Sequence, residues 1–289
     1  MEAEKTVLAG DALTRRVAVV TGGGRGIGRA VALALAGDGL HVHVVARTAE
    51  QLERVVAEIR SLGGSSCAVV LDVSQAHQVD AVLGGGAGAR CGVPQILVNA
   101  AGVFGPLARI ADGDPDAWIS TLLVNTVGTY VTCRALLDGM LASGWGRVVN
   151  VSSAAAQDAP GPLNSAYTTS KAAVNWFTRC LAAELSGTHV TANALHPGEV
   201  QTQMWRDISA SAAQLQGEGE GEGFRQWAAL VSRTGGDPPE NAAAAVRWLV
   251  TDAAESISGE FVWIGGSLKT PTSPPPPPQP FIVDRSTAR

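Results

Sequence analysis

Two side chains four positions apart could transfer a proton together. Tyr167 and Lys171 stand in a segment with helical periodicity, and four residues are about one helical turn, so both project from one face. A tyrosine hydroxyl has an ordinary pKa of about 10, too high for easy proton transfer at neutral pH. A neighbouring ammonium group would stabilise the phenolate and lower that pKa. Taken alone, the spacing equally suits a half-buried tyrosine beside a solvated lysine, so the chemistry depends on what the other elements bring.

A glycine-rich turn near the start of the chain indicates a dinucleotide site. The apolar, β-branched run 17–20 predicts a buried strand, and a helical pattern follows the glycines through Ala36. Glycines let the backbone approach a pyrophosphate, and the helix N-terminus presents N–H groups and a positive dipole end. A merely flexible loop is the alternative. The candidate cofactor contacts in this turn are Gly22, Arg25, Gly26, Ile27 and Gly28.

The end of the second predicted strand, 41–46, favours one nicotinamide cofactor over the other. An NAD enzyme places a ribose-binding carboxylate about 20 residues after the glycine turn. Here the chain continues with Arg47 and Thr48, and Arg25 lies inside the turn itself. Either arginine alone could be a surface residue, but two guanidinium groups without a carboxylate favour a 2′-phosphate. The sequence therefore predicts NADP(H) as the cofactor.

The remaining apolar segments predict one large α/β unit. We expect a single Rossmann-type doubly wound domain, with a mostly parallel seven-stranded sheet and helices on both faces. The clustered glycines at 84–88 predict that the helix expected over 75–90 is frayed or broken. The predicted organisation is a leader at 1–13, a catalytic domain at 14–266 with a lid at about 201–235, and a proline-rich, disordered tail at 267–289.

Composition excludes several function classes. The chain has 289 residues, 46% of them apolar, a net charge of −5 and a pI near 5.5, which argues against nucleic acid as the main ligand. No apolar run approaches the roughly 20 residues that span a bilayer, and no secretory signal pattern is evident, so we expect a cytoplasmic protein without a membrane partner. The four cysteines are scattered, and His41 and His43 alternate on a strand, which we interpret as structural; no metal site is expected.

A set of motifs in a fixed order resembles the short-chain dehydrogenase/reductase family over about residues 14–266. The motifs are Thr21-Gly-x-x-x-Gly26-x-Gly28, Asp72-Val73, Asn99-Ala-Ala-Gly102, Asn125, Ser153, Tyr167-x-x-x-Lys171 and Pro197-Gly198. The resemblance implies a Ser-Tyr-Lys-Asn catalytic set of Ser153, Tyr167, Lys171 and Asn125. It also implies further cofactor contacts from Asp72, Val73, Asn99, Ala100, Pro197, Gly198, Val200 and Thr202, besides Tyr167 and Lys171.

The resemblance assigns a role to each member of the catalytic set. Tyr167 is the proton donor or acceptor, Ser153 binds the reacting oxygen, and Lys171 lowers the tyrosine pKa and binds the nicotinamide ribose. Asn125, predicted in mid-helix, holds a water that connects Lys171 to solvent; a locally bonded asparagine is the alternative. Of the adjacent pair Ser152 and Ser153 only one can point inward, because side chains alternate along a strand.

The implied activity is hydride transfer between NADP(H) and a carbonyl/alcohol pair, as in a ketone or ketoacyl reductase. Alternatives are a dehydratase or epimerase on the same scaffold, or a non-catalytic cofactor-binding protein. Relatives pair two helices across a subunit interface, which implies a homodimer or homotetramer. The spacing from Ser153 to Tyr167 is one residue longer than is common in the family, so the loop at 156–164 and the lid leave the substrate open. Four aromatic or sulfur side chains of the lid could line a bulky apolar pocket or only pack against the core: Met204, Trp205, Phe224 and Trp227.

Overall fold

The computed structural model describes residues 16–84, 92–157, 162–215, 221–264 and 281–284. Over these ranges the protein forms one sheet of eight strands in the order β3-β2-β1-β4-β5-β6-β7-β8. The strands are β1 Val17–Thr21, β2 His41–Ala46, β3 Ser65–Val70, β4 Pro94–Asn99, β5 Gly146–Val151, β6 Val190–His196, β7 Phe261–Ile264 and β8 Phe281–Asp284.

Helices connect successive strands. They are α1 Gly26–Gly37, α2 Ala49–Ser61, α3 Ala76–Val79, α4 Pro115–Leu122, α5 Gly128–Ala142, α6 Ser165–Glu184, α7 Gln203–Gln214, α8 Glu222–Thr234 and α9 Pro239–Leu249. Two π-helical segments, Asp80–Gly84 and Leu123–Val127, adjoin α3 and α4.

The inner strands of the sheet are buried on both faces. Alternate residues of β1 belong to two different cores: Ala18 and Val20 pack with α1, α2 and α9, whereas Val19 packs on the face covered by α5 and α6. This explains the continuous apolar runs of the strands, because in a doubly covered parallel sheet no strand face meets water. The strand order reverses between β1 and β4, so the carboxyl ends of these two strands open a crevice.

The predicted fold class is confirmed. The strands β1 to β7 pair in parallel, and the helices cover both faces. The eighth strand pairs antiparallel with β7 and lies within the segment for which the sequence predicts disorder. Its four residues, Phe281-Ile-Val-Asp284, begin directly after the prolines and have the composition of a strand.

Two local expectations can also be compared with the structure. Helix α3 ends after four residues and continues as the π-helical segment Asp80–Gly84, in agreement with the break that the glycines predict; residues 85–91 lie outside the described ranges. The segment 201–235 forms α7 and α8, and the end of its Gly-Glu run starts α8, while 216–220 are not described.

In the described part of the chain, no helix combines the length and apolarity that crossing a bilayer requires.

Candidate active site

The glycine turn between β1 and α1 packs so tightly that side chains do not fit. A Cβ atom on Gly28 would lie 2.3 Å from the carbonyl oxygen of Gly22, and one on Gly22 would lie 2.7 Å from that of Ala100. No side chain caps the N-terminus of α1, so its first N–H groups face the cleft beside the turn. The donor set and the close backbone approach fit the pyrophosphate of a dinucleotide.

A cleft of about 480 Å³ extends from this turn across the carboxyl ends of the strands. Of the residues predicted to contact the cofactor, it is lined by Gly22, Arg25, Gly26, Ile27, Gly28, Arg47, Asp72, Val73, Ala100 and Thr202. The structure thus gathers most of the predicted contacts, which are spread over 180 positions of sequence, around one cleft.

Both arginines stand exposed at the β2 end of the cleft. Arg47 Nη1 lies 3.9 Å from Asp72 Oδ2, while Asp72 Oδ1 accepts hydrogen bonds from the backbone and hydroxyl of Ser74. The Arg47–Asp72 pair is solvent-exposed and long, so it holds the guanidinium only weakly. A phosphate bound nearby could therefore draw the Arg47 guanidinium away from Asp72.

Six predicted cofactor contacts lie outside the cleft lining: Asn99, Tyr167, Lys171, Pro197, Gly198 and Val200. The amide of Asn99 points into the protein, where its Nδ2 donates to Asn150 Oδ1 at 3.0 Å and its Oδ1 accepts from Thr132 Oγ1 at 2.8 Å. Its side chain therefore joins β4 to β5 and α5. Thr202 lies in the lining; its methyl group approaches Gly26, and its hydroxyl accepts from Trp205 N at the start of α7.

The side chain of Ser153 lies beside the Tyr167 hydroxyl, close enough to lower the pKa of the tyrosine. Ser153 follows the carboxyl end of β5, and Tyr167 lies in the first turn of α6. The neighbouring Ser152 points the other way: its hydroxyl is buried and donates to Asn175 Oδ1 at 2.5 Å. Strand alternation thus separates the two serines, and Ser153 is the one that meets the tyrosine.

The pKa of Tyr167 differs from the sequence-based expectation. Burial raises it to about 12; the hydrogen bond with Ser153 lowers it, and the negative charge of Glu199 raises it. The expected net lowering is wrong for this structure, because desolvation of the buried phenolate outweighs the attraction of the Lys171 ammonium, which lies 5.8 Å from the centroid of the phenol ring and donates to the carbonyl of Val151. Desolvation of the phenolate is the larger effect. Tyr167 is consequently a neutral phenol at neutral pH.

Lys171 is buried beside the tyrosine, and burial lowers its pKa to about 8. Its Nζ donates to the carbonyl oxygen of Val151 at 2.8 Å, at the end of β5. A Cβ atom on Gly102 would come within 3.6 Å of this nitrogen and within 3.3 Å of Asn125 Oδ1. Gly102 therefore separates the lysine from the asparagine.

Asn125 lies in the π-helical segment between α4 and α5 and is fully buried. Its amide is bonded to Val103 in both directions, with Val103 N donating to Oδ1 and Nδ2 donating to Val103 O, each at 2.8 Å. Nδ2 also donates to Ser170 Oγ at 2.9 Å. The asparagine thus fixes the loop after Gly102 against α6. A π-turn within an α-helix is frequently found at a functional site.

Comparison with known proteins identifies the family. The family model for short chain dehydrogenases matches residues 16–213. The short-chain reductase protein NovJ of Streptomyces niveus is 37% identical over 250 residues, which cover 86% of this chain and 92% of NovJ. The chain belongs to the short chain dehydrogenase family of oxidoreductases. A 3-oxoacyl-[acyl-carrier-protein] reductase of Synechocystis is 35% identical over 260 residues, covering 89% of this chain and 98% of the relative.

Solved structures of other short chain dehydrogenases superimpose on this one. An actinorhodin polyketide ketoreductase variant with NADPH has a TM-score of 0.77 at 28% identity, over 88% of this chain and 97% of that chain. A xylitol dehydrogenase with bound NAD⁺ has a TM-score of 0.78 at 26% identity, over 88% and 99%. The family thus includes structures with either nicotinamide cofactor.

Three side chains beside the tyrosine were not among the predicted catalytic and cofactor residues. Phe104 stacks on the Tyr167 ring at 4.7 Å between centroids, and Phe224 of α8 meets Phe104 edge-on at 5.9 Å. Glu199 is buried next to the Pro197-Gly198 turn and accepts a hydrogen bond from Trp227 of α8. The sequence signal for Glu199 is an acidic residue inside a turn that is predicted to contact the cofactor. Phe104 follows the Asn99-Ala-Ala-Gly102 motif closely, but its stacking depends on where α6 lies.

Proposed function

We propose that this protein is an NADP(H)-dependent reductase of ketones or ketoacyl compounds. The observation that carries the proposal is the pair of hydroxyl groups of Ser153 and Tyr167, which lie beside each other at the carboxyl edge of the sheet. The neighbouring cleft has a glycine turn that fits a pyrophosphate. A bound nicotinamide cofactor supplies the hydride. The protein's own residues position the carbonyl and provide the proton.

Tyr167 supplies that proton. With a pKa of about 12 its hydroxyl is protonated throughout the neutral range, as a general acid for carbonyl reduction must be. Ser153 then has a hydroxyl free to donate to the same carbonyl oxygen, so the developing alkoxide meets two preorganised donors.

Lys171 and Asn125 support the tyrosine. The ammonium of Lys171 carries a positive charge at pH 7, near the phenol that becomes negative as it gives up its proton. Asn125 holds the backbone at Val103 next to Gly102, on whose other side the lysine lies. We propose that protons return to Tyr167 through Lys171 and the space between the lysine and Asn125.

The preference for NADP(H) rests on the arginines. Arg25 and Arg47 line the β2 end of the cleft, and the strand ends in Ala46 where a carboxylate would otherwise reject a 2′-phosphate. Guanidinium groups bind phosphate in a bidentate manner. Solved relatives contain NADPH or NAD⁺, so the residues at this end of the cleft decide the preference.

Aromatic side chains near Tyr167 support a ketone with apolar bulk. Phe104, Phe224 and Trp227 lie around the tyrosine and Glu199, so a substrate carbonyl would reach Tyr167 past aromatic surface. The relatives include a 3-oxoacyl-[acyl-carrier-protein] reductase and an actinorhodin polyketide ketoreductase, whose names indicate β-ketoacyl and polyketide carbonyls. We include both kinds of ketone among the first substrates to test.

The chain offers a matched control for the decisive experiment, because it contains only two tyrosines. The loss of NADPH or NADH absorbance is followed with a panel of ketones, β-ketoesters, quinones and sugars. Tyr167→Phe is expected to lower turnover by roughly 100-fold or more, while Tyr130→Phe, on α5, stays within about twofold. Wild-type turnover in Tyr167→Phe would refute the mechanism. Absence of turnover on every carbonyl tested would refute the reductase assignment.

A further inference from the structure

Three potential metal ligands converge on one face of the sheet, away from the cleft. In the parallel pairing of β2 with β3, His41 is opposite Ser65 and His43 is opposite Cys67. Residues two apart on a strand point to the same face, so both imidazoles and the thiol lie on one side. One ligand atom from each of His41, His43 and Cys67 lies within 4.8 Å of the other two.

His43 has an environment that hydrogen bonding does not explain. The residue is only 3% exposed, and both of its ring nitrogens are buried without a hydrogen-bond partner. A buried polar atom that is left unpaired destabilises the folded state. The ring of His41 stands at 90° to that of His43, with centroids 5.2 Å apart. Burial lowers the pKa of His43 to about 4, so at neutral pH the ring is neutral and its nitrogen lone pair is available.

The ring of His41 is held in a fixed orientation by a neighbouring hydroxyl group. Its Nδ1 is hydrogen-bonded to Ser65 Oγ at 2.7 Å, which fixes the ring, and its Nε2 is buried without a hydrogen-bond partner. A hydrogen bond to the second nitrogen is the usual arrangement for a histidine that ligates a metal. The hydroxyl of Ser65 would thus orient the His41 ring without binding the metal itself.

We propose that His41, His43 and Cys67 bind one divalent transition-metal ion, with zinc as the preferred ion. Two imidazole nitrogens and one thiolate sulfur form a borderline-soft set that suits Zn²⁺ and does not suit Mg²⁺ or Ca²⁺. In a tetrahedral zinc site, neighbouring ligand atoms lie about 3.4–3.8 Å apart. Rotation of the side chains, of which His41 and Cys67 are partly exposed, would bring the three atoms together and leave a fourth position for water.

The ion would connect β2 to β3, the edge strand of the sheet. The same two strands lead at their carboxyl ends to Arg47 and Asp72, which line the cofactor cleft. We therefore assign the ion a structural effect, because none of its three ligands lines the cleft. The spacing His41-x-His43 did not by itself predict a metal site, because the third ligand, Cys67, lies on the neighbouring strand, 24 residues after His43.

The test uses the purified full chain, stripped with a chelator and titrated with Zn²⁺ or Co²⁺. Wild-type protein is expected to bind one ion per chain, to show a thiolate-to-cobalt charge-transfer absorption, and to melt at a higher temperature with zinc. Cys67→Ser should abolish the charge-transfer absorption, and His41→Asn should weaken zinc binding at least about tenfold. His43→Val should do the same; if it fails to fold, the two partly exposed ligands still decide the question.

Two variants serve as controls for binding at other cysteine and histidine residues. Cys180→Ser removes an exposed thiol on α6, and His189→Gln removes an exposed imidazole that pairs with Glu255. Both are expected to keep the cobalt absorption and the zinc affinity of the wild type. The proposal is overturned if wild-type protein retains no ion, or if Cys67→Ser binds Co²⁺ with an unchanged spectrum and affinity.

Discussion

The indole nitrogen of Trp227 donates a hydrogen bond of 2.6 Å to Glu199 Oε2, which joins α8 to the turn beside Tyr167. The backbone of Glu199 is held at the same point, because its N–H donates to Asp237 Oδ2 at 2.6 Å and its carbonyl accepts from Asp237 N. The Glu199 carboxylate is therefore a fixed negative charge near Tyr167, and its charge raises the pKa of that tyrosine.

Glu199→Gln removes the negative charge but keeps the hydrogen bond, because the amide oxygen of glutamine can still accept from Trp227. We expect the pKa of Tyr167 to fall from about 12 by up to about one pH unit. In a Tyr130→Phe background Tyr167 is the sole tyrosine, so its phenolate absorbance can be titrated directly, with circular dichroism to verify the fold. Trp227→Phe keeps the charge and should leave the titration unchanged. An equal shift in both variants would mean that packing, not charge, raises the pKa.

The pH dependence of reduction should report Lys171. Burial lowers its pKa to about 8, so its ammonium is mostly present at pH 7 and is lost as the pH rises through 8. Because the charge stabilises the phenolate that forms when Tyr167 gives up its proton, kcat/KM should decline above about pH 8, well before Tyr167 itself titrates. The measurement is kcat/KM for NADPH oxidation between pH 6 and 10. A profile that stays flat to pH 10 contradicts a role for the ammonium.

Cofactor preference should change at Arg47. Arg47→Asp replaces a phosphate-binding group with a carboxylate that repels the 2′-phosphate and can accept from a ribose hydroxyl. We expect the ratio of kcat/KM for NADPH over NADH to fall by about 100-fold, mostly through KM. Arg60→Asp makes the same charge change at the exposed end of α2 and should leave the ratio within about threefold. A ratio that is equal in the two variants would remove the basis for the NADP(H) assignment.

The parts of the molecule that could be predicted are those set by local pattern. The run Val17–Thr21, the glycines after it and the helix beginning at Gly26 follow one another directly, so strand, turn and helix were predictable together. The alternation of side chains likewise predicted that only one of Ser152 and Ser153 points inward, because only local geometry was involved, and the family resemblance then assigned Ser153.

The parts that could not be predicted depend on segments distant in sequence. Glu199 and Trp227 are 28 residues apart, and their contact depends on the path of α7 and α8. Cys67 joins His43 only through the register of two strands. The pKa of Tyr167 was predicted in the wrong direction, because the tyrosine–lysine spacing indicates a neighbouring charge but not the degree of burial that outweighs it.

The outer faces of α5 and α6 carry apolar side chains suited to self-association. Trp176 on α6 is 66% exposed and Tyr130 on α5 is 48% exposed, and Tyr130 contacts Phe177 edge-on. A group of neighbouring exposed apolar side chains marks a protein–protein interface more often than a single exposed apolar side chain does. We expect a homodimer or homotetramer that Trp176→Glu dissociates, while Leu62→Glu, exposed at the end of α2, has no effect. Sedimentation velocity measures this, and a wild type that is monomeric at every concentration would exclude the interface.

Gly102 provides the sharpest test of proton return to Tyr167. A methyl group there would lie 3.3 Å from Asn125 Oδ1 and 3.6 Å from Lys171 Nζ, close enough to fill the space between them without a severe clash. Gly102→Ala should therefore fold, with a melting temperature within about 4 °C of the wild type. Its kcat should nevertheless fall by about tenfold or more, because a water between the two side chains would be displaced. Gly37→Ala adds the same methyl group at the end of α1, where nothing lies within 4 Å, and should keep full activity. If Gly102→Ala matches Gly37→Ala in kcat, protons reach Lys171 by another route.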